Sequence, residues 1–453
     1  MWQSGATIEL EITDVSNSGE GVGRFEGRVV FVPNTVTGDQ VKVRLDYLKN
    51  EYAHASLLEI IESSEYRVRS HCIVADKCGG CQWQHIDNIY QAQLKETHLR
   101  ESLKRIGGFL DDLPISPILQ SLNTLGYRNR VTYPLARSTT GLVQAGYYQS
   151  KSHHLINLNQ CPVQDSKFNI LLSEIKQDIQ TQNWSIYNEK EHRGKLRHLS
   201  LRIGRRTGEI LLTLVSTEWN LPGLQEQAQI WLERYPDLVG ICLNRNQAKG
   251  NAIFGLETRC VIGKDYVREV FAGIELHLGS DAFFQINTET AEKLLEIIIQ
   301  QLELKGSETI LDAYCGPGTF TLPLARLVNH VFGIEVQESS LERAFYNTRL
   351  NGINNVTFYQ GKVEEVLPEL EIKPDVILVD PPRKGCDIQV IERLREINAP
   401  KIVYVSCQPP TLSRDLRLLT QDGLYKITHI QPADFFPQTS HVETVVFLRS
   451  SKD

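Results

Sequence analysis

The chain has 453 residues, nine cysteines, one methionine and a net charge of −7, with 41% hydrophobic and 23% charged residues. That length predicts two to four domains around a sizeable core, and the composition is that of a soluble globular protein. No apolar run approaches the ~20 residues of a membrane helix, and the acidic balance excludes nucleic-acid binding by net charge, so any such contact must use local basic patches. The start MWQSGATIELEI has no charged segment followed by an apolar one. With an odd cysteine count, this predicts a cytoplasmic chain using thiols as metal ligands or a nucleophile rather than in disulfides.

Residues 1–62 read as a small barrel. Ile8, Leu10 and Ile12 alternate with polar neighbours, GEGVGR (Gly19 to Arg24) reads as a glycine-rich turn, and strands follow at Arg28–Val32, Val41–Leu45 and Tyr52–Ile60. With FVPNTVTGDQV in the middle, the pattern resembles the TRAM domain, an OB-like barrel attached to RNA-modifying enzymes.

Residues 63–270 read as a central α+β region. Cys72, Cys78 and Cys81 form C-x5-C-G-G-C, whose glycines permit a tight turn, and Cys161 in NQCPVQD is the best candidate for a fourth sulfur. Three close cysteines and one remote one suit an iron–sulfur cluster, with four-thiolate zinc as the rival. The spacing of Leu99, Leu103, Ile106 and Leu110 predicts an amphipathic helix over 88–106 with those residues in the core. GYRNR (Gly126 to Arg130) leads into a strand. The run RGKLRHLSLRIGRR (Arg193 to Arg206) holds six Arg or Lys and no acid, which predicts a phosphate-binding face together with Arg128 and Arg130.

Residues 271–453 alternate strands and helices. A strand is expected over Phe271–Leu278, and a long helix from Thr288. TILDAY (Thr309 to Tyr314) breaks into Cys315-Gly316-Pro317-Gly318-Thr319, and the next strand ends in Glu335. This is a Rossmann-like strand, glycine turn and helix with a carboxylate suited to ribose hydroxyls. The turn lacks the lysine of a P-loop, which disfavours a nucleoside triphosphate, and Cys315 reads as a small turn residue. A further strand, Val376–Val379, ends in Asp380-Pro381-Pro382-Arg383; Arg383 stands where amino-methylating enzymes carry an aromatic residue. In VYVSCQPPTLSRD (Val403 to Asp415), a buried strand delivers Cys407 to the carboxyl edge of the sheet. Pro409 and Pro410 are expected to hold a stiff turn before a helix beginning at Thr411, whose N-terminus would bias Cys407 toward thiolate. Glu443, beside the apolar run Val445 to Leu448, is either desolvated with a raised pKa or paired.

Together, TRAM, C-x5-CGGC with Cys161, GYRNR, FFQIN, LDAYCGPGTF, GIE, DPPRKG, SCQPPTLSRD and HVETVV resemble the TrmA/RumA family of RNA uridine-5 methyltransferases over nearly the whole chain. The resemblance implies a multidomain α/β protein with a C-terminal Rossmann-like class I methyltransferase domain at 271–453, a central RNA-binding domain carrying a 4Fe-4S cluster on Cys72, Cys78, Cys81 and Cys161, and the barrel. It makes Cys407 the nucleophile and Glu443 the proton acceptor. It places S-adenosylmethionine on Gln285, Tyr314, Glu335 and Asp380. The cysteine quartet and TRAM point to the 23S ribosomal RNA branch, with a tRNA uridine as the alternative. No membrane partner is expected, and a monomer is favoured. A DNA cytosine-5 methyltransferase shares the thiolate logic, but its nucleophile follows a proline and lies before mid-chain. A non-catalytic RNA-binding or assembly protein would have no use for Cys407 and Glu443.

Overall fold

The computed structural model describes residues 2–110 and 112–452, which form two compact units. The first comprises the chain through Glu101 with Tyr147–Ile156 and Phe436–Val442; the second holds Ser102–Gly146, Asn157–Phe435 and Glu443 onward.

In the first unit, five strands close a barrel in the order Thr7–Val15, Gly21–Phe25, Arg28–Val32, Tyr52–Glu62, Gln40–Leu48. Alternation puts Ile8, Leu10, Ile12, Val30, Val32, Val41, Val43 and Leu45 inside. The glycine-rich segment turns at Gly19, with φ 88°, and is strand from Gly21 onward. A Cβ on Gly21 would lie 2.0 Å from the Thr35 hydroxyl and one on Gly23 2.3 Å from Leu10, so these glycines permit close strand crossing. The expected helix runs Asn88–Arg105. Leu99 and Leu103 are buried, but Ile106 and Leu110 are exposed, because the helix ends before the Gly107-Gly108 pair.

In the second unit, the strands Glu257–Gly263, Leu238–Arg245, Ile210–Ser216, Leu196–Ile203 and Arg130–Arg137 lie side by side. The centre of the expected phosphate-binding face is not available to a ligand, because Leu196–Ile203 is almost wholly buried, although Arg193 is exposed. Arg197 donates to the carbonyls of Asn246 (3.0 Å) and Ala248 (2.6 Å) and lies over the Tyr187 ring. Arg202 donates to the Ala282 carbonyl. Arg205 pairs with Asp165 and Glu289, and Arg206 with Glu292. These acids are remote in sequence, so a local charge count misses them.

A second seven-stranded sheet has the order Val356–Gln360, His330–Glu335, Thr309–Ala313, Val376–Val379, Lys401–Ser406, Glu443–Ser450, Tyr425–Ala433. Its first five strands are parallel and its last two antiparallel. The parallel strands read as unbroken apolar runs because both faces are covered. The strand expected over Phe271–Leu278 is a hairpin, Tyr266–Phe271 with Ile274–Gly279, turning at Ala272 and Gly273, both with positive φ. The long helix Thr288–Leu302 starts at Asn287, whose side chain caps the Thr290 amide.

Candidate active site

Five of the residues singled out from sequence stand one per strand along the same edge of the second sheet. Glu335, Tyr314, Asp380 and Cys407 each end or follow a parallel strand, and Glu443 opens the antiparallel strand beside Cys407. At ~4.8 Å per strand the row spans about 19 Å. This is the carboxyl edge, where open α/β sheets bind ligands.

At one end, Gly316 and Gly318 take φ of 55° and 91°, and Tyr314 is held at φ 86°, a conformation costly for a side-chain-bearing residue. The Glu335 carboxylate accepts the amides of Gly316 (2.9 Å) and Gln337 (2.7 Å), which closes the turn against the next strand. A Cβ on Gly316 would meet nothing within 4 Å, and the buried Thr319 hydroxyl has no partner. An open cradle, an unsatisfied hydroxyl and a carboxylate together fit a nucleoside-bearing ligand such as S-adenosylmethionine. Cys315 is buried, and burial pushes its thiol well up, consistent with a packing role.

In the middle, Gln285 donates to Asp380 at 3.3 Å. Gln285 comes from the FFQIN loop, which Asn129 of GYRNR braces: its side-chain amide donates to the Gln285 carbonyl (2.7 Å) and the Thr288 hydroxyl (3.0 Å). Burial, reinforced by Asp312, raises Asp380 to about 7. Asp312 is itself raised to about 7 by burial and accepts from the Thr321 hydroxyl at 2.6 Å.

At the other end, Ser406 pairs with Thr444. Cys407 directly follows Ser406 and Glu443 directly precedes Thr444, so the two stand at adjoining strand ends, close enough for Glu443 to act electrostatically on Cys407. Glu443 is buried, and burial with the nearby Asp380 raises it to about 8, while Arg383 opposes the rise. Of the two alternatives for this residue, the desolvated one holds. Cys407 does not show the expected bias toward thiolate: burial and Glu443 push it up to about 11, with Arg383 again opposing. The helix begins at Pro409 and not Thr411, because prolines in a first helical turn lack only amides that would be unbonded anyway. In sequence Arg383 marks only a departure from another enzyme class; its place three residues after Asp380 is the signal for its position here.

Cys72, Cys78 and Cys81 lie in the first unit and Cys161 in the second. The loop bends through Cys78 N–H to Val74 O (2.8 Å), and the Gly80 amide donates to Cys78 Sγ at 3.4 Å. Gly79 has no room for a side chain, since a Cβ would lie 2.7 Å from the Tyr148 carbonyl. An amide aimed at sulfur suits a thiolate ligand. Among the described residues, however, no group of three or more Cys, His, Asp or Glu is gathered as a metal site, and no helix is long and apolar enough to cross a membrane.

Residues 90–451 match the tRNA (Uracil-5-)-methyltransferase family, and residues 2–58 match the TRAM domain. The chain is 58% identical to an uncharacterized RNA methyltransferase of Nostoc sp., across all of this chain and 99% of that one. It is 37% identical to another from Clostridium tetani, across 98% and 96%. Among solved structures it is similar to the Pyrococcus abyssi tRNA (uracil-54, C5)-methyltransferase in complex with S-adenosyl-L-homocysteine, with a TM-score of 0.77, 30% identity and coverage of 97% of this chain and 100% of that one. With the barrel, the open glycine turn and the polar row along one sheet edge, these matches make the chain a member of the S-adenosylmethionine-dependent RNA uracil-5 methyltransferase family.

Proposed function

We propose that this protein methylates carbon 5 of a specific uridine in 23S ribosomal RNA through a transient bond between Cys407 and carbon 6 of the uracil. The observation that carries this reading is the juxtaposition of Cys407 and Glu443 on neighbouring strands. Carbon 5 of uracil is too weak a nucleophile to take a methyl group directly, and sulfur addition at carbon 6 converts it to an enolate. S-adenosylmethionine, when bound, supplies the methyl on a sulfonium. Gln285, Tyr314, Glu335 and Asp380 are assigned to hold it.

Charge on the two reacting groups alternates. Two adjacent buried anions repel, so the pair carries at most one negative charge at a time. Both groups are protonated at rest: the Cys407 thiol loses its proton to solvent as the sulfur bonds to carbon 6, with Glu443 still protonated beside it. Once the sulfur is an uncharged thioether and carbon 5 carries its methyl, Glu443 releases its proton to solvent. The carboxylate then takes the carbon-5 proton, and the electron pair of that C–H bond expels the Cys407 thiolate. The expelled thiolate regains a proton from solvent, and the pair is back in its starting state with one net proton released per methyl transferred.

A second reading keeps the chemistry and moves the substrate to a tRNA uridine; the nearly full-length similarity to the Pyrococcus abyssi enzyme favours it. We assign docking on RNA to residues 1–62, RNA binding to 63–270 and transfer to 271–453. The sulfur donor set is assigned to a 4Fe-4S cluster on Cys72, Cys78, Cys81 and Cys161, bracing the RNA-binding part and taking no part in the reaction. Iron and sulfide analysis of protein purified without oxygen tests the cluster, and stoichiometric zinc would replace it.

The experiment for the function is incubation with labelled S-adenosylmethionine and either ribosomal RNA or tRNA lacking 5-methyluridine, with 5-fluorouridine RNA as a trap. Label in ribosomal RNA and a covalent adduct at Cys407 are expected. Label in tRNA alone selects the second reading, and neither label nor adduct overturns both.

A further inference from the structure

We propose that Arg414 and Asp415 are positioning residues: they clamp the backbone of the Asp380–Cys386 loop to the helix that follows Cys407, and so hold Arg383 against the Cys407–Glu443 pair. The proposal rests on the reading of Cys407 and Glu443 given above.

Arg383 is exposed, and among the described residues its guanidinium has no hydrogen bond or ion pair. Yet it is the cation that acts on both Cys407 and Glu443. With no side-chain partner to aim it, its placement depends on its backbone. That backbone is gripped by one turn of the helix Pro409–Leu419. The Thr411 hydroxyl shares its proton between the carbonyls of Arg383 (3.2 Å) and Gln408 (3.1 Å), and the Arg414 guanidinium donates to the carbonyls of Lys384 (3.1 Å) and Cys386 (3.2 Å). Asp415 accepts the Cys386 amide (2.9 Å).

Asp415 is fully buried, and its carboxylate also takes the Tyr404 hydroxyl (2.6 Å) and Arg414 Nε (2.7 Å). Tyr404 stands on the strand that ends at Cys407, so one carboxylate ties together the nucleophile's strand, its helix and the loop. The fit leaves no slack: Gly385 has φ 79°, and a Cβ there would lie 2.5 Å from Asp415 and 2.6 Å from Arg414. A surface Arg–Asp pair between sequence neighbours would need none of this. Three backbone carbonyls and one amide in four successive residues are bonded from a single helical turn.

The test is Arg414→Met at a half-exposed site, which removes two carbonyl contacts and the cation paired with the buried Asp415. Denaturant unfolding is followed alongside, and Thr411→Val and Arg383→Met, which leave Asp415 paired, carry the test if the variant does not fold. Two readouts are taken. The first is the rate at which iodoacetamide alkylates Cys407 in the full-length protein at mildly alkaline pH, followed on the Cys407 peptide by mass spectrometry. The second is methyl transfer to RNA. If the clamp aims Arg383, alkylation slows about tenfold, since less thiolate is present. The turnover rate falls about tenfold with the KM for S-adenosylmethionine unchanged. Arg383→Met gives the same slowing, and the double variant adds nothing further. Thr411→Val moves both readouts in the same direction by less.

Mere loosening of the loop predicts the opposite sign, because a more accessible thiol alkylates faster. Faster or unchanged alkylation in Arg414→Met, or full additivity with Arg383→Met, overturns the proposal. The alkylation arm needs no RNA. Slowed alkylation in a protein whose parent methylates no uridine would retain the clamp and remove the functional reading. Methylation by the parent with unslowed alkylation would do the reverse.

Discussion

Two polar regions of this protein carry buried ionisable side chains and are treated in opposite ways. Along Arg197–Arg206, each arginine is matched: Arg197 and Arg202 by carbonyls, Arg205 and Arg206 by carboxylates. At the carboxyl edge of the second sheet, Asp312, Asp380, Glu443 and Cys407 are packed without a single ion pair among the described residues, and burial drives each pKa upward. Buried charge that is satisfied builds structure, while buried charge left wanting stores reactivity. The difference is visible only in the partners, because both regions look equally polar in sequence.

Breaking each side should have separable consequences. The largest effect is expected at the unsatisfied edge: Cys407→Ala loses at least about a thousandfold in methyl transfer and all adduct with 5-fluorouridine RNA, with thermal stability unchanged. Residual transfer near the parent rate would remove Cys407 from the reaction. Next comes the satisfied side. Arg205→Met leaves Asp165 partly buried without its cation, and Glu289 with only its longer contact to Arg206 (3.9 Å), and should cost about 3 kcal/mol of stability in denaturant unfolding. Activity per folded molecule should hold; a selective loss of RNA affinity with stability intact would restore the phosphate-binding role.

Glu443→Gln is expected to slow turnover about a hundredfold while the adduct accumulates, because the carbon-5 proton has no acceptor. It also carries a pH signature. A carboxyl raised from 4.5 to about 8 in the folded protein contributes stability that is complete below pH 4.5 and is lost as pH rises through about 8. The variant should therefore gain stability relative to the parent across that window. Parallel pH–stability curves for the two would show that Glu443 ionises normally. The smallest effect is expected at Gly316→Ala. The methyl would occupy the open side of the turn and its positive φ adds strain, so S-adenosylmethionine affinity should fall about tenfold with little change in RNA binding. Unchanged affinity in calorimetry would mean that the cradle at Gly316 does not face the ligand.

Much of this architecture was legible in the sequence. Strand alternation in the barrel and apolar runs in the parallel sheet are local signals, and the order of motifs pointed to each residue of the edge row. Misreadings arose where a distant partner decided the outcome. The Gly21–Phe25 strand resembles a turn until Thr35 and Leu10 are seen against it. The arginine run resembles a nucleic-acid face until Asp165, Glu289 and Glu292 arrive from elsewhere in the chain. The helix after Cys407 promised a thiolate, but the dipole of a helix end is a small effect beside desolvation and an adjacent buried carboxyl.

By itself, the sequence determined which residues carry the chemistry and in what order they line the sheet, because residue type and strand ends are local properties. Their protonation, and which buried charges brace the fold and which are left to react, was decided only by tertiary structure. Burial and Coulomb partners are properties of neighbours in space, and the chain brings those neighbours from tens to hundreds of residues away.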